Sequence, residues 1–153
     1  MRFDAKTEQT KFWKIFDEKL IENGEPFSIL YEKSGKVTSW AMINKNYSLV
    51  DYGLSIDFLV RYKELRINIY LRNDLPFACY LEKNKEDIES MVSVPLKWIH
   101  GASNPNTRRI VFYKPIEIGN VEAYADAIDE ILPVVMEMKK VCEKYGKDLF
   151  FDF

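Results

Sequence analysis

The 153 residues, 47% hydrophobic and 30% charged, are the length and composition of one globular domain with a single core, and 14% aromatic content argues for a well-filled interior. No run approaches the roughly 20 apolar residues of a bilayer-spanning helix. The opening MRFDAKTEQT lacks an apolar signal region, so a cytoplasmic setting without membrane contact is expected. Net charge is −2 and says nothing about partners, while Cys79, Cys142 and His100 are too few for a disulfide framework or a four-ligand zinc site, so neither metal nor cofactor is expected.

The first helix is predicted over Thr7 to Asn23, with Phe12, Trp13, Phe16 and Leu20 as its apolar stripe and Gly24 as its stop. Glu25 to Gly35 reads as a connector with a short extended piece at Phe27 to Tyr31. Val37 to Ile43 is the first strand. Its facing is open, because Val37, Ser39, Ala41 and Ile43 alternate with Thr38, Trp40 and Met42. Asn44, Lys45 and Asn46 make a turn, and Tyr47 to Gly53 lead onward.

Leu54 to Arg72 is the organising stretch. Leu54, Ile56, Phe58 and Val60 alternate with Ser55, Asp57, Leu59 and Arg61. After Tyr62, Lys63 and Glu64, the residues Leu65, Ile67, Ile69 and Leu71 alternate with Arg66, Asn68, Tyr70 and Arg72. A period of two puts every second side chain on one face, and the short gap excludes a parallel crossover, so the two runs form an antiparallel hairpin. Lys63 and Glu64 tolerate positive φ poorly, which favours a loop longer than two residues.

Asn73 and Asp74 cap a second helix, expected from Pro76 to about Val92 with Phe77, Leu81, Ile88 and Met91 buried. Pro95 opens a strand with Leu96, Trp98 and His100 on one face and Lys97 and Ile99 on the other. Gly101 to Asn106 link it to a last strand, Thr107 to Tyr113, in which Ile110 and Phe112 alternate with Arg109, Val111 and Tyr113. Asn120 caps a final helix over Val121 to Tyr145, ending at Gly146 and kinked or split at Pro133. Both cysteines fall in helices, as small buried hydrophobes. The tail Leu149, Phe150, Phe151 and Phe153 is too apolar for water; it docks on its own domain or under a second copy, which makes a homodimer one expected form. The fold class is thus α+β: residues 1–153 form one domain with a five-stranded, mainly antiparallel sheet, helices on its apolar face and the order α-β-β-β-α-β-β-α.

Charge is uneven. Arg61, Lys63, Arg66 and Arg72 outnumber Asp57 and Glu64 in the central hairpin, and Lys97, Arg108, Arg109 and Lys114 meet no acid between Pro95 and Lys114. The helices carry the compensating excess of Asp and Glu. A solvated sheet face kept soluble by its arginines explains this. The functional reading is a surface for phosphate backbones, with Arg61, Arg66, Arg72, Lys97, Arg108 and Arg109 supplying charge and Tyr70 or Tyr113 supplying stacking faces.

The order helix, three strands, helix, strand is shared with restriction-endonuclease-like enzymes, which makes a degenerate nuclease an alternative reading. An active site of that kind needs convergent acids on two strands and a lysine. Asp57 lies mid-strand, but Glu64 falls in the expected turn, roughly 20 Å away along an extended chain, and Leu65-Arg66 follow it where the lysine is required. His100 has no apparent acid or nucleophile beside it, so no catalytic residue is assigned.

The Phe12-Trp13 pair, Thr38-Ser39-Trp40, the Leu54 to Arg72 hairpin, the run to Ile88, Leu96-Lys97-Trp98 and Arg109-Ile110 together resemble a family of bacterial and archaeal domains of unknown function. In that family the domain sometimes follows a nuclease domain. The resemblance implies a non-enzymatic accessory module in nucleic-acid processing or defence, with no catalytic residues to carry over. The element order is also similar to that of type III secretion chaperones, which would imply a protein client instead.

Overall fold

Period-two alternation across Leu54 to Leu71 becomes the centre of a sheet. The computed structural model describes residues 2–25, 28–44, 51–101 and 106–151, apart from the side chains at 44, 51 and 147–151. The elements run α1 (Ala5–Glu22), β1 (Leu30–Lys33), β2 (Lys36–Asn44), β3 (Asp51–Leu59), β4 (Glu64–Arg72), α2 (Leu75–Lys83), α3 (Lys85–Ser90), β5 (Lys97–His100), β6 (Arg108–Pro115) and α4 (Val121–Phe151). Leu54, Ile56, Phe58, Leu65, Ile67, Ile69 and Leu71 are all buried, so the inward face is the predicted one; Val60 falls in the turn and is only partly covered.

The hairpin register pairs Leu59 with Glu64, leaving a four-residue loop, Val60 to Lys63. Its N–H groups at Tyr62 and Lys63 donate to the carbonyls of Leu59 and Val60, each at 3.2 Å. The loop is longer than two residues, as expected, yet Lys63 takes a φ of 51° after all. Its carbonyl accepts from the Ile116 N–H at 3.0 Å, which helps offset that conformation.

Among the described residues the sheet has six strands, not five, in the order β1-β2-β3-β4-β6-β5, and every neighbouring pair is antiparallel. The added strand is β1, whose pairing was not expected. Lys33 pairs with Lys36 across Ser34-Gly35, both with positive φ (55° and 76°), a two-residue turn whose twist suits a hairpin.

Two helix predictions need correction. The second helix is divided at Asn84, whose Nδ2 donates to the Tyr80 carbonyl at 2.8 Å and caps α2. The last helix, conversely, is continuous through Pro133 and does not stop at Gly146. One lost N–H is outweighed by an apolar face running through Tyr124, Ile128, Ile131, Val135, Met138, Val141, Cys142 and Tyr145, all buried. A glycine stop needs a left-handed residue past the last turn; Gly24 and Gly119 have positive φ, and Gly146 does not. The expected docking of the Leu149, Phe150, Phe151 and Phe153 side chains, and with it the homodimer, lies outside the described residues.

Helices α1 and α4 pack on one another and on β2, β3 and β4. Phe58 sits where they meet: its ring stacks on Phe12 at 4.3 Å and meets Tyr124 edge-on at 5.3 Å. Of the two cysteines, Cys142 is buried, where desolvation pushes its thiol well up, but Cys79 is exposed on α2. Because the helices gather on the face of Phe58 and Ile67, none of the described helices packs on the other face of the sheet.

Candidate binding face

Register fixes which side chains share that outer face. One row runs Trp40, Asp57, Arg66, Tyr113 across β2, β3, β4 and β6. A second runs Met42, Ser55, Asn68, Val111 and Lys97, reaching β5, and a third Gly53, Tyr70, Arg109 and Ile99. The ambiguous facing of β2 is thereby decided: Ala41 and Ile43 are buried under the helices, and Trp40 and Met42 face outward.

At the centre lies a polar cluster from three strands. Asn68 is fully buried, and its Nδ2 donates to Asp57 Oδ2 at 3.0 Å. Arg109 reaches across it: Nη2 donates to Asn68 Oδ1 at 2.6 Å and to Asp57 Oδ2 at 3.0 Å. The Asp57 and Arg109 side chains are 16% and 37% exposed, so the carboxylate is the more deeply set member of the pair. Burial pushes the Asp57 carboxyl above its usual range, and the opposing pull of Arg109, Asn68 and Arg66 does not cancel it.

A carboxyl that holds its proton more tightly folded than unfolded contributes most to stability below the ordinary aspartate range. That contribution is lost as pH rises through the raised folded value, so at neutral pH the charged form is the costly one. Asp57→Asn is therefore expected to be neutral or stabilising by about 1 kcal/mol or less at pH 7, since half-exposed Arg109 can turn to water. Melting curves at pH 7 and pH 4.5 check this: the difference from the unaltered protein should shrink at the lower pH. A loss of 2 kcal/mol would mean that the ion pair outweighs the desolvation.

Around this centre, cations lie over aromatic rings. Arg66 is 5.4 Å from the Tyr113 centroid, Lys97 is 5.2 Å from the same ring, and Arg72 is 4.9 Å from Tyr70. At the turn, Arg61 and Arg66 each lie 5.8 Å from the Tyr62 ring. Arg66 Nε also donates to Glu64 Oε2 at 2.9 Å. Toward β1 the face forms a groove of about 770 Å³, lined by Leu30, Lys33, Trp40, Tyr70, Arg72 and Arg109 among others.

Of the residues singled out from sequence, Arg66, Tyr70, Arg72, Lys97 and Arg109 therefore share the outer face, and Arg61 stands at its turn end. Arg108 does not join them. As the strand neighbour of Arg109 it points the other way, where it is buried and its Nε donates to Glu82 Oε1 at 2.7 Å. His100 Nε2 lies 3.2 Å from the same carboxylate oxygen. Glu64 opens β4 rather than lying in the turn, so the hairpin brings it to the face of Asp57. Arg66 stands between the two, and each acid has a guanidinium partner. Sequence reasoning left the facing of Trp40 and Met42 open, and it put Asn68 on the polar face without singling it out as a site residue. The outward parity of Asn68 is visible in the strand pattern, but its burial depends on β6 lying alongside β4.

Residues 8–146 match the family described as domain of unknown function DUF4268. The chain belongs to that family. No curated protein matches it in sequence. Among solved structures, YbjN from E. coli, a proposed transcription regulator, is similar with a TM-score of 0.50 and 10% identity, over 86% of this chain and 89% of its own. That likeness is one of fold. No helix among the described residues is long and apolar enough to cross a membrane.

Proposed function

We propose that the outer sheet face is a non-enzymatic binding surface for single-stranded nucleic acid. The observation that carries this reading is the interleaving of Arg66, Lys97 and Arg72 with the rings of Tyr113 and Tyr70 on a face that the described helices leave open. Cations that track a phosphate backbone, set among rings on which bases stack, bind single strands with little sequence preference. Glu64 and Asp57 offset Arg66 and Arg109, but Lys97 and Arg61 are exposed and have no carboxylate partner among the described residues.

The test is fluorescence anisotropy with a labelled single-stranded 20-mer and its duplex, in DNA and RNA, at 50 and 200 mM salt. Replacing Arg66 and Lys97 together by alanine is expected to weaken single-strand binding about tenfold. It should also flatten the salt slope by ~0.7 for each phosphate that the altered face no longer neutralises. Binding that ignores both salt and the double substitution would sink the reading.

A second reading, a chaperone-like surface for an extended peptide, is favoured by one observation. Beside edge strand β1 the groove wall is apolar, with Leu30 52% exposed and Trp40 and Met42 partly so. Salt-insensitive binding of apolar peptides, abolished by Leu30→Asp, would support it.

A further inference from the structure

The Asp57–Asn68–Arg109 cluster does more than balance charge. Arg109 Nη2 gives one hydrogen to Asp57 and the other to Asn68, which holds the planar guanidinium against the sheet. Its Nε and Nη1 have no partner among the described residues, and the side chain, 37% exposed, borders the groove. Both bidentate edges of a guanidinium include Nη2, so the free N–H groups on Nε and Nη1 do not form a fork. They are single donors on a cation that the cluster holds in place beside the groove. Holding it there costs something, because Asn68 is fully buried and the Asp57 carboxylate is desolvated in its charged form. A merely soluble face has no use for that arrangement.

The groove supplies the remaining chemistry. Its about 770 Å³ is within the range of small-molecule sites. Arg72 and Lys33 join Arg109 in its lining against Asp57 and Glu32, and Ser55 and Thr107 also border it. Trp40 stands directly across from Asp57 in the register, so its indole belongs to the row that Arg109 reaches into. Arg72 and Arg109 lie beyond β3 from the Trp40 indole, while Lys33 is on the β1 side. Cations across the sheet from a flat ring suit a ligand with a phosphate at one end and a ring at the other.

We propose that this groove is a subsite for one nucleotide unit, with Arg109 binding the phosphate and Trp40 stacking on the base. The proposal rests on the nucleic-acid reading above and gives it a fixed point. Asp57 and Asn68 are positioning residues, acting through Arg109.

Titration calorimetry on the full chain tests it, with AMP, adenosine and inorganic phosphate as probes. AMP should bind at least tenfold more tightly than adenosine. Arg109→Gln should abolish that preference, and Arg109→Lys should restore only part of it, because charge returns without the planar group that Asp57 and Asn68 hold in place. Trp40→Leu should weaken AMP about tenfold and leave inorganic phosphate unchanged. Circular dichroism confirms that each variant is folded, and the lysine variant decides the matter if the glutamine one is not. If AMP and adenosine bind alike, or Arg109→Lys and Trp40→Leu behave as the unaltered protein, the subsite is refuted. Salt-dependent 20-mer binding that persists in that case leaves the wider face standing; its absence removes both. If vesicles containing phosphatidylinositol phosphate bind and Trp40→Leu does not alter that binding, the phosphate belongs to a lipid and the nucleotide proposal is overturned.

Discussion

Phe58→Asp is expected to unfold the domain at room temperature. Phe58 is fully buried on β3, packed against Phe12 and Tyr124 and edge-on to Trp13 at 6.4 Å, so one side chain ties the sheet to both α1 and α4. Truncating a buried phenylalanine costs about 3–5 kcal/mol, and a carboxylate without a partner in the same dry space adds several more. Against a total stability of about 5–15 kcal/mol, little or nothing remains. Urea denaturation followed by far-ultraviolet circular dichroism measures it. A cooperative transition at the unaltered midpoint would mean that Phe58 does not face the core.

Trp13→Ala should cost about 3–5 kcal/mol, the second largest effect. Its ring is fully buried, lies edge-on to Phe12 at 5.0 Å and stacks on Tyr31 of β1 at 5.9 Å. Its Nε1 donates to the Thr38 carbonyl of β2 at 2.9 Å. Trp13 thus joins α1 to the two strands at the sheet edge. Trp13→Phe keeps most of the apolar area and loses the hydrogen bond, so it should cost about 1–2 kcal/mol. Equal losses for the two variants would assign the effect to the hydrogen bond instead of the packing. Destabilisation here should also loosen β1 and, with it, the apolar wall of the groove.

How much of the candidate face is readable in the sequence differs residue by residue. Arg66, Tyr70 and Arg72 stand at outward positions of a strand whose inward positions are all aliphatic, so their shared facing follows from β4 alone. Arg108 and Arg109 are both candidate cations by sequence, but the two neighbours point to opposite faces. Ile110 and Val111 are equally buried, so it is the register with β4 that tells which arginine is outward: Arg109 pairs with outward Tyr70 and Arg108 with inward Leu71. Asp57 reads as an isolated mid-strand acid, which invites comparison with a nuclease carboxylate. Its actual partner, Arg109, is 52 residues away in sequence.

Local chemistry in the sequence determined the hairpin, its inward face, the α1 stripe and the start of α2 at Asp74, whose carboxylate accepts from the Phe77 N–H at 2.9 Å. Each of these depends on residues a few positions apart, where side-chain period and capping chemistry operate without help from the rest of the chain. Tertiary structure decided the rest. It drew β1 in as a sixth strand, carried α4 past Pro133 and Gly146 on a continuous buried face, and broke the second helix at Asn84. It also laid β6 against β4, which assembled Asp57, Asn68 and Arg109 into one cluster. Strand order has no local signature, because it is chosen by which apolar surfaces can be buried together once distant segments meet. A site built across three strands exists only after that choice is made.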